Sequence, residues 1–252
     1  MGSGPRGEMT FLEHFEELRK CLYRAFIGEA VAFGVATYFL SDIMKFLVAP
    51  YFRYLPQGQQ SLAYTDITEV FFLYMKVAFV ASLFIGAPWI FYQLWRFIAP
   101  GLKSKEKYYA LPFIAGTSAF FMAGMAFCYY VVLPYTFKFF FQFNRDFTNI
   151  VTVSNFWDFE MKFLIGIGLT FETPILILFL TRLGLVTPVF LLKKFKWAIL
   201  IAFIVSAVIT PSGDPVNQTI VAVPIIVLYA IGVAISFLFR KRAAPEAPAA
   251  GA

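Results

Sequence analysis

Charged residues, histidine and cysteine are scarce in this 252-residue sequence. Only 14% of the residues are charged, whereas soluble domains average about 25%. The single histidine, His14, nearly excludes a catalytic dyad or a histidine-based metal site, and the two cysteines lack the spacing of a disulfide framework or a metal site. Nucleotide-binding and serine-nucleophile motifs are also missing. We therefore expect no enzyme activity, no metal and no cofactor, so that energy for any work must come from a gradient or from partners.

Apolar residues dominate the sequence instead. Hydrophobic side chains make up 60% of the chain, and the mean hydropathy is +0.73. A soluble fold of this length could not bury so much apolar surface. The net charge of +6 comes from short basic clusters between apolar runs, which is not the pattern of a nucleic-acid-binding face. The composition predicts a membrane protein that contacts lipid directly and binds no nucleic acid.

Six apolar runs approach or exceed the length of about 20 residues that a spanning helix needs. They predict an all-α, polytopic membrane protein with one transmembrane domain over 10–239, a tail over 1–9 and a disordered tail over 240–252. The predicted spans are about 22–44, 70–98, 109–133, 159–180, 197–210 and 219–239. The fifth run has about 14 residues, or roughly 21 Å of helix, against a hydrocarbon core of about 30 Å. We therefore expect a thin membrane flank beside it.

The basic residues predict which side of the membrane holds the chain ends. Most of the 21 Lys and Arg residues lie before the first run, between the second and third, between the fourth and fifth, and after the sixth. The two long loops on the other side carry only Lys45, Arg53, Lys138 and Arg145. Because basic loops stay in the cytoplasm, both termini are predicted to be cytoplasmic. An even number of spans agrees with this placement.

Glu172 is the main candidate for a functional residue inside the membrane. It lies in the middle of the fourth run, and Pro174 follows it. A charge at that depth costs about 2.5–3.5 kcal/mol on insertion scales, and a proline there can kink the helix. The alternative is a structural carboxyl whose hydrogen bonds are satisfied. Glu29 and Lys76 are weaker candidates of the same kind.

Two further acids lie in segments next to the first and second runs. Residues 10–22 alternate apolar and charged positions at helical spacing, which predicts an amphipathic surface helix that carries Glu17 and continues into the first span. Glu106 stands among three lysines in the loop after the second run. The ordinary interpretation of the segment with Glu17 is a solvated anchor helix with Glu–Lys pairs. Glu106 is either a surface carboxylate paired with a lysine or half of an anionic site.

Several motifs together resemble the TatC family, the receptor component of the twin-arginine protein translocase. HFEELRK at 14–20 is similar to the family's N-terminal HLxELRxR motif. FIAPGL at 97–102, followed by Glu106, resembles its first cytoplasmic loop, and FETP at 171–174 resembles its motif in the fourth helix. Further matches are Ala49-Pro50, Thr65-Asp66 and the 210–218 turn. The resemblance covers about 10–240, and the order of the motifs makes it specific.

The resemblance implies a receptor for signal peptides that carry a consecutive arginine pair on folded cargo, in the inner membrane. The residues implied to bind the peptide are Glu17, Leu18, Arg19, Phe97, Leu102 and Glu106. This role agrees with chemistry, because a guanidinium presents a planar fork to a carboxylate and the ammonium of lysine does not. TatA-like and TatB-like single-span proteins, lipids and further copies of the chain are the implied partners.

The resemblance also assigns roles outside the peptide site. It implies a concave, glove-like bundle with short fifth and sixth helices, in which Glu172 and Pro174 form a polar point on the concave face. Thr210 and Gln218 are implied to dock the single-span partners. Pro50, Asp66 and Asp214 are implied to belong to an outer cap.

The alternative function is a small-molecule transporter that couples transport to protons or ions through Glu172. Such transporters commonly contain inverted repeats with paired broken helices. The sequence shows no such repeat and has few charges inside its apolar runs. These observations favour the receptor.

Overall fold

The computed structural model describes residues 11–54, 62–98, 110–143, 151–210 and 213–238. These residues form ten α-helices and one π-helical turn. Within them, the one β-type pairing is an isolated bridge between Ala63 and Thr152. The all-α prediction is therefore confirmed, and both predicted tails lie outside the described residues.

The first apolar run forms two helices that meet at a sharp bend. Helix α1 (Phe11–Tyr38) and helix α2 (Leu40–Phe52) differ in direction by 77°. Phe39 between them has a φ of −94° and a ψ of 13°, outside the helical region. Helix α1 therefore ends before the predicted span end at 44, and α2 continues beyond it. Both helices are apolar, so hydropathy does not reveal the bend between them. The amphipathic segment continues directly into the span, as expected.

Helix α3 (Ile67–Ile98) covers the second apolar run and passes through Pro88 without ending. The third run contains α4 (Ala110–Phe127), a π turn (Cys128–Val132) and α5 (Leu133–Phe143). Together they give one continuous apolar segment, Leu111–Gln142, which extends beyond the predicted span end at 133. Pro134 does not stop the helix, because it lies in the first turn of α5, where a missing N–H is tolerated.

The last third of the described chain contains α6 (Val153–Thr170), α7 (Thr173–Arg182), α8 (Pro188–Lys193), α9 (Phe195–Ile209) and α10 (Pro215–Leu238). Helix α9 has 15 residues, so the fifth apolar helix is short, as predicted. Helix α10 has 24 residues, so the prediction of a short sixth helix is wrong. It begins four residues before the predicted 219, because Asp214 accepts a hydrogen bond from the backbone N–H of Asn217 and caps an earlier first turn.

Every predicted span corresponds to one helix or to consecutive helices in the structure. In the part of the chain that the structure describes, four segments are long and apolar enough to cross a membrane: Ile67–Ile98, Leu111–Gln142, Val153–Arg182 and Pro215–Leu238. The bent α1–α2 pair is a fifth candidate, and α9 is a shorter apolar helix. The chain is thus a multi-span membrane protein. The number of helices that cross and the side of the termini stay predictions.

Helix α6 occupies the centre of the bundle, where it packs against α3, α4, the π turn and α9. Its Trp157 and Phe163 are among the largest fully buried side chains. Glycine allows the closest approach to α9, since a Cβ on Gly166 would lie 2.6 Å from Cγ1 of Ile209. The position of α6 therefore depends on side-chain volume at several helix crossings.

Two loops meet at one end of the bundle. The N–H of Ala63 donates to the carbonyl of Val151 at 3.2 Å, and the N–H of Val153 donates to the carbonyl of Ala63 at 2.7 Å. The Glu69 carboxylate accepts a hydrogen bond from the N–H of Ser154 at 2.8 Å. These contacts connect the segment before α3 to the start of α6 at the end of the bundle predicted to be outside.

Candidate functional site

Glu17 lies at the opposite end of the bundle, where α1 meets the last turn of α3. Its carboxylate is 3.6 Å from Nε of Arg96, and its side chain is 19% exposed, against 43% for Arg96. One turn before Glu17, the ring of His14 stacks on Phe97 with centroids 4.5 Å apart. These four residues, Glu17, Arg96, His14 and Phe97, are the Glu17 site below. The site places a partly buried carboxylate beside a guanidinium and next to an aromatic platform.

Four of the six residues implied to bind peptide lie in the described part of the chain, and they fall at this end. Leu18 is half-buried, while Arg19 is exposed and its guanidinium lies 5.5 Å from the ring centroid of Tyr23. Glu17 and Phe97 belong to the site itself. Leu102 and Glu106 lie outside the described residues, so their predicted roles stay predictions.

Glu172 lies at a break between α6 and α7. Helix α6 ends at Thr170, and Phe171 and Glu172 form a turn. Pro174 lies in the first turn of α7, a position that proline favours because no N–H is needed there. The Glu172 side chain is half-buried and makes no capping hydrogen bond, and Oε1 has no hydrogen-bond partner within the described chain. An acid with one unsatisfied oxygen can accept a donor from outside the bundle.

Two glycines allow neighbouring helices to pack against this break. A Cβ on Gly124 of α4 would lie 2.7 Å from Cγ of Phe171, and a Cβ on Gly232 of α10 would lie 2.9 Å from Cα of Pro174. Pro174 is fully buried. The position of Glu172 is therefore determined by close packing of α4 and α10 on either side of the turn.

Glu160 is a buried acid that the sequence prediction did not single out. Its side chain is 0% exposed, and neither carboxyl oxygen has a hydrogen-bond partner among the described residues. It lies within electrostatic reach of Cys128 and Tyr129 of the π turn. In the sequence it appears only as an acid close to the start of the fourth apolar run. Its depth depends on how α6 packs, which sequence periodicity alone does not give.

The two weaker intramembrane candidates both have partners on neighbouring helices. Nζ of Lys76 is 2.7 Å from the carboxylate of Asp158, which joins α3 to α6. Glu29 accepts a hydrogen bond from the hydroxyl of Ser82 through Oε1, while Oε2 is buried and has no partner in the described chain. Lys76 is thus accounted for by an ion pair, whereas Glu29 keeps one unsatisfied oxygen.

Thr210 and Gln218, predicted to dock partners, both lie where α9 meets α10. Thr210 is 1% exposed. The Gln218 side-chain amide donates to the carbonyl of Phe203 at 3.0 Å, and the Ser206 hydroxyl donates to the Gln218 carbonyl. These contacts hold the short α9 against α10. Any effect of Thr210 and Gln218 on a partner would therefore act through the position of these two helices.

The three residues predicted for the outer cap have separate structural roles. Pro50 is buried inside α2. Asp66 precedes α3 and accepts hydrogen bonds from the N–H and the hydroxyl of Thr68, both at 2.8 Å, and these bonds lower the pKa of its carboxyl. Asp214 precedes α10, where it accepts from the N–H and the side-chain amide of Asn217 at 2.7 and 3.0 Å. Both aspartates thus initiate helices at this end.

Comparison with known proteins shows the same organisation in one family. The family model described as "Sec-independent protein translocase protein (TatC)" matches residues 13–224. The TatC protein of Koribacter versatilis is 36% identical over 236 residues, covering 93% of this chain and 87% of that protein. The TatC protein of Escherichia coli K12 is 36% identical over 223 residues, covering 88% of this chain and 86% of that protein.

Two solved structures extend the match to three dimensions. A crystal structure of the twin-arginine translocase receptor TatC has a TM-score of 0.78 at 33% identity, and covers 90% of this chain and 99% of that one. A second crystal structure of that receptor, in DDM, has a TM-score of 0.80 at 32% identity, and covers 89% of this chain and 99% of that one. Sequence motifs, helix order and fold therefore agree, and this chain belongs to the TatC family of Sec-independent protein translocase components.

Proposed function

We propose that this chain is the receptor of its translocase for signal peptides that carry an arginine pair. The supporting observation is that the Glu17 carboxylate already lies beside a guanidinium, that of Arg96, at 3.6 Å. Glu17 is partly buried, so water screens its charge less than at an open surface. A peptide arginine that replaces Arg96 meets a carboxylate in the same environment.

The second acid of the proposed receptor is Glu106, on the loop that follows α3. Two carboxylates on different segments bind two adjacent arginines if each takes one guanidinium in a bidentate contact. Leu18, Phe97 and Leu102 supply apolar contacts around the pair, and Arg19 lies at the edge of the site. The apolar stretch of the peptide then lies along the lipid-facing helices.

We assign the remaining predicted residues to assembly and transport. Glu172 and Pro174 form a polar point for a partner helix, and the α9–α10 pair with Thr210 and Gln218 positions TatA-like and TatB-like subunits. Pro50, Asp66 and Asp214 shape the outer end of the bundle. Further copies of the chain and membrane lipids complete the assembly in the inner (cytoplasmic) membrane, with both termini in the cytoplasm. Family membership favours this role over a small-molecule transporter that uses Glu172.

Peptide binding tests the receptor proposal. The full-length protein in nanodiscs is titrated with a fluorescent peptide that has Arg-Arg before an apolar stretch, and with its Lys-Lys analogue. We expect Glu17→Gln and Glu106→Gln each to weaken Arg-Arg binding by at least tenfold, because each removes one charged acceptor. The Lys-Lys peptide is expected to bind poorly to every form.

Glu16→Gln is the matched control for Glu17→Gln. Glu16 is the adjacent residue of α1, its side chain is 74% exposed, and it pairs with Lys20 at 3.8 Å. Its replacement should leave binding of the Arg-Arg peptide unchanged. The receptor assignment of Glu17 and Glu106 is wrong if both variants bind the Arg-Arg peptide as tightly as the unmodified protein does.

A further inference from the structure

Helices α1 and α3 meet along an antiparallel interface that contains several polar groups. Five residues of α3 fall within about 80° of one another around its axis and form a single stripe. These residues are Ser82, Gly86, Trp89, Gln93 and Arg96. The facing residues of α1 are Glu17, Cys21, Arg24, Gly28 and Glu29. This set of ten residues is the α1–α3 seam below.

Direct contacts determine the register of the seam. Arg96 pairs with Glu17 at the end of the seam that opens on the Glu17 site. The indole N–H of Trp89 donates to the carbonyl of Arg24 at 2.9 Å. At the end of the seam that lies deeper in the bundle, the hydroxyl of Ser82 donates to Glu29. Each contact lies deeper in the bundle than the one before, and Glu17 and Glu29 are separated by roughly 18 Å along α1.

Gln93 lies between the first two of these contacts. Its side chain is 1% exposed, and neither the amide oxygen nor the amide nitrogen has a hydrogen-bond partner among the described residues. The same stripe places it opposite Cys21, which is within electrostatic reach of Arg96 and Arg24. A buried amide that can donate and accept is thus left unsatisfied in the middle of the seam.

Two charged groups of the seam also have unsatisfied atoms. One guanidinium nitrogen of Arg24 is buried and has no hydrogen-bond partner in the described chain. Oε2 of Glu29 is also buried and has no such partner there. Glu29 Oε2 lies beside Gly86, where a Cβ would approach it to 2.6 Å. Glycine therefore allows α3 to approach this oxygen closely.

Four unsatisfied atoms on one helix interface indicate a common ligand. Leaving a buried polar group without a hydrogen bond costs about 1–3 kcal/mol. Water suits these atoms because it both donates and accepts, and buried waters typically make about three hydrogen bonds to such groups. A single larger ligand would have to match a donor, an amide and a carboxylate over the length of the seam.

We propose that the α1–α3 seam holds a file of ordered water molecules that connects Glu29 to the solvent at the Glu17 site. Through this file the Glu29 carboxyl exchanges its proton with that solvent. A water donates a proton to the carboxylate and receives one from the next water, so no other bond changes. The seam is thus a proton path from the Glu17 end to an acid inside the membrane.

Among the described residues, the helices packed around Glu29 form no ion pair with it. Helix α1 packs mainly on α3 and on its own continuation, α2. Arg96 is the only ionisable residue on the α3 stripe, and it pairs with Glu17. The charged residues of α2, Asp42 and Lys45, lie near the far end of α1 and pair with each other at 3.7 Å. Among the ten seam residues, Arg24 is therefore the one cation placed between Glu29 and the Glu17 site.

Radiolytic footprinting detects bound water in the full-length protein, because irradiated water forms hydroxyl radicals that oxidise adjacent side chains. The two cysteines provide an internal comparison, since both are free and buried but only Cys21 faces the seam. We expect Cys21 to be oxidised at least fivefold faster than Cys128. Equal rates for the two thiols would overturn the proposal.

Gln93→Leu tests whether the labelling depends on the seam. The change removes both amide atoms at nearly constant volume, so oxidation of Cys21 should fall several-fold. Gln142→Leu is the matched control, because Gln142 is exposed on α5 and should leave Cys21 unaffected. Gln93→Met is the second variant if Gln93→Leu does not fold. The proposal is wrong if Cys21 is oxidised at the same rate in the folded variant and in the unmodified protein.

Infrared spectroscopy tests proton exchange at Glu29 itself. The carboxyl bands of Glu29 are assigned by subtracting the spectrum of Glu29→Gln. After a jump from alkaline to acidic buffer, the carboxylate band should convert to the acid band, at least tenfold more slowly in Gln93→Leu. Bands that do not respond to the jump, or that respond equally fast in both proteins, would contradict the proton path. Neither measurement uses a signal peptide, so failure of the receptor proposal would leave these results interpretable.

Discussion

Arg96 approaches Glu17 through Nε at 3.6 Å, which is longer than the 2.7–2.9 Å typical of a charge-assisted hydrogen bond. The pair is therefore an electrostatic contact without the two parallel hydrogen bonds that a guanidinium can make. The positive charge of Arg96 partly offsets the negative charge of the Glu17 carboxylate, but the two groups do not form the bidentate hydrogen bonds that a carboxylate and a guanidinium can make. In the proposed receptor, Arg96 occupies the place of a peptide arginine until a better-aligned guanidinium replaces it.

Arg96→Gln should strengthen binding of the Arg-Arg peptide by about two- to fivefold. Exposed ion pairs are worth about 0.2–1 kcal/mol, and that is the competition the peptide no longer has to overcome. The measurement is a fluorescence titration in nanodiscs at low salt. Arg182→Gln, at the end of α7, is the control for the loss of one positive charge. Weaker binding in Arg96→Gln would mean that Arg96 supports the peptide instead of competing with it.

Glu160→Leu should stabilise the protein. Glu160 is completely buried and makes no hydrogen bond within the described chain, so an apolar side chain of similar size avoids a cost of about 1–3 kcal/mol. For a chain of this size, each kcal/mol corresponds to roughly 2–4 °C in melting temperature.

Thermal unfolding in detergent, followed by light scattering and tryptophan fluorescence, measures this shift. Glu16→Leu removes an exposed acid and should leave the melting temperature nearly unchanged. A lower melting temperature for Glu160→Leu would show that the carboxyl has a stabilising partner in the protein as it exists in the membrane.

Hydropathy and charge predicted the helices but not their interruptions. The apolar runs were visible because a lipid-facing helix must be apolar over nearly its whole length. The bend at Phe39 and the π turn at Cys128–Val132 were not visible, since apolar residues continue through both. For the fourth run, the sequence indicated only that Pro174 can kink the helix, and the structure has a break beside it, between α6 and α7.

For the candidate sites too, the sequence predicted individual residues but not the contacts between helices. Glu17 and Glu172 were identified from their positions in motifs and in an apolar run. The burial of Glu160 and the pairing of Glu17 with Arg96 depend on which helix faces result from packing, and sequence spacing on one helix does not give that. The unsatisfied amide of Gln93 is also a property of two helices together.

Glu172→Gln should impair export without weakening binding of the Arg-Arg peptide. The amide keeps the shape of the side chain but removes the charge that a partner or water would meet at the α6–α7 break. Export is measured by the appearance of folded reporter cargo outside the inner membrane, and we expect a loss of at least fivefold. Peptide affinity is measured separately, as for Glu17.

Glu160→Gln is the matched control on the same span. It is also an acid-to-amide change inside the apolar segment, but its side chain is 0% exposed and therefore not accessible to a partner helix. Export by this variant should be close to normal. Normal export by Glu172→Gln would refute the assignment of Glu172 to partner contact or transport.

Gly232→Ala should destabilise the protein and disturb the Glu172 turn. The added Cβ would lie 2.9 Å from Cα of Pro174, a backbone atom that cannot move aside as a side chain does. Overpacking of this kind costs about 1–3 kcal/mol. Gly34→Ala is the matched control, because a Cβ on Gly34 meets no atom within 4 Å and alanine favours the helix by about 0.5–1 kcal/mol. In thermal unfolding, the first variant should melt below the unmodified protein and the second at or above it.

Since α10 must then separate from α7, Gly232→Ala should also reduce export while Gly34→Ala does not. Equal melting temperatures for the two variants would mean that α7 and α10 are not packed this closely in the membrane.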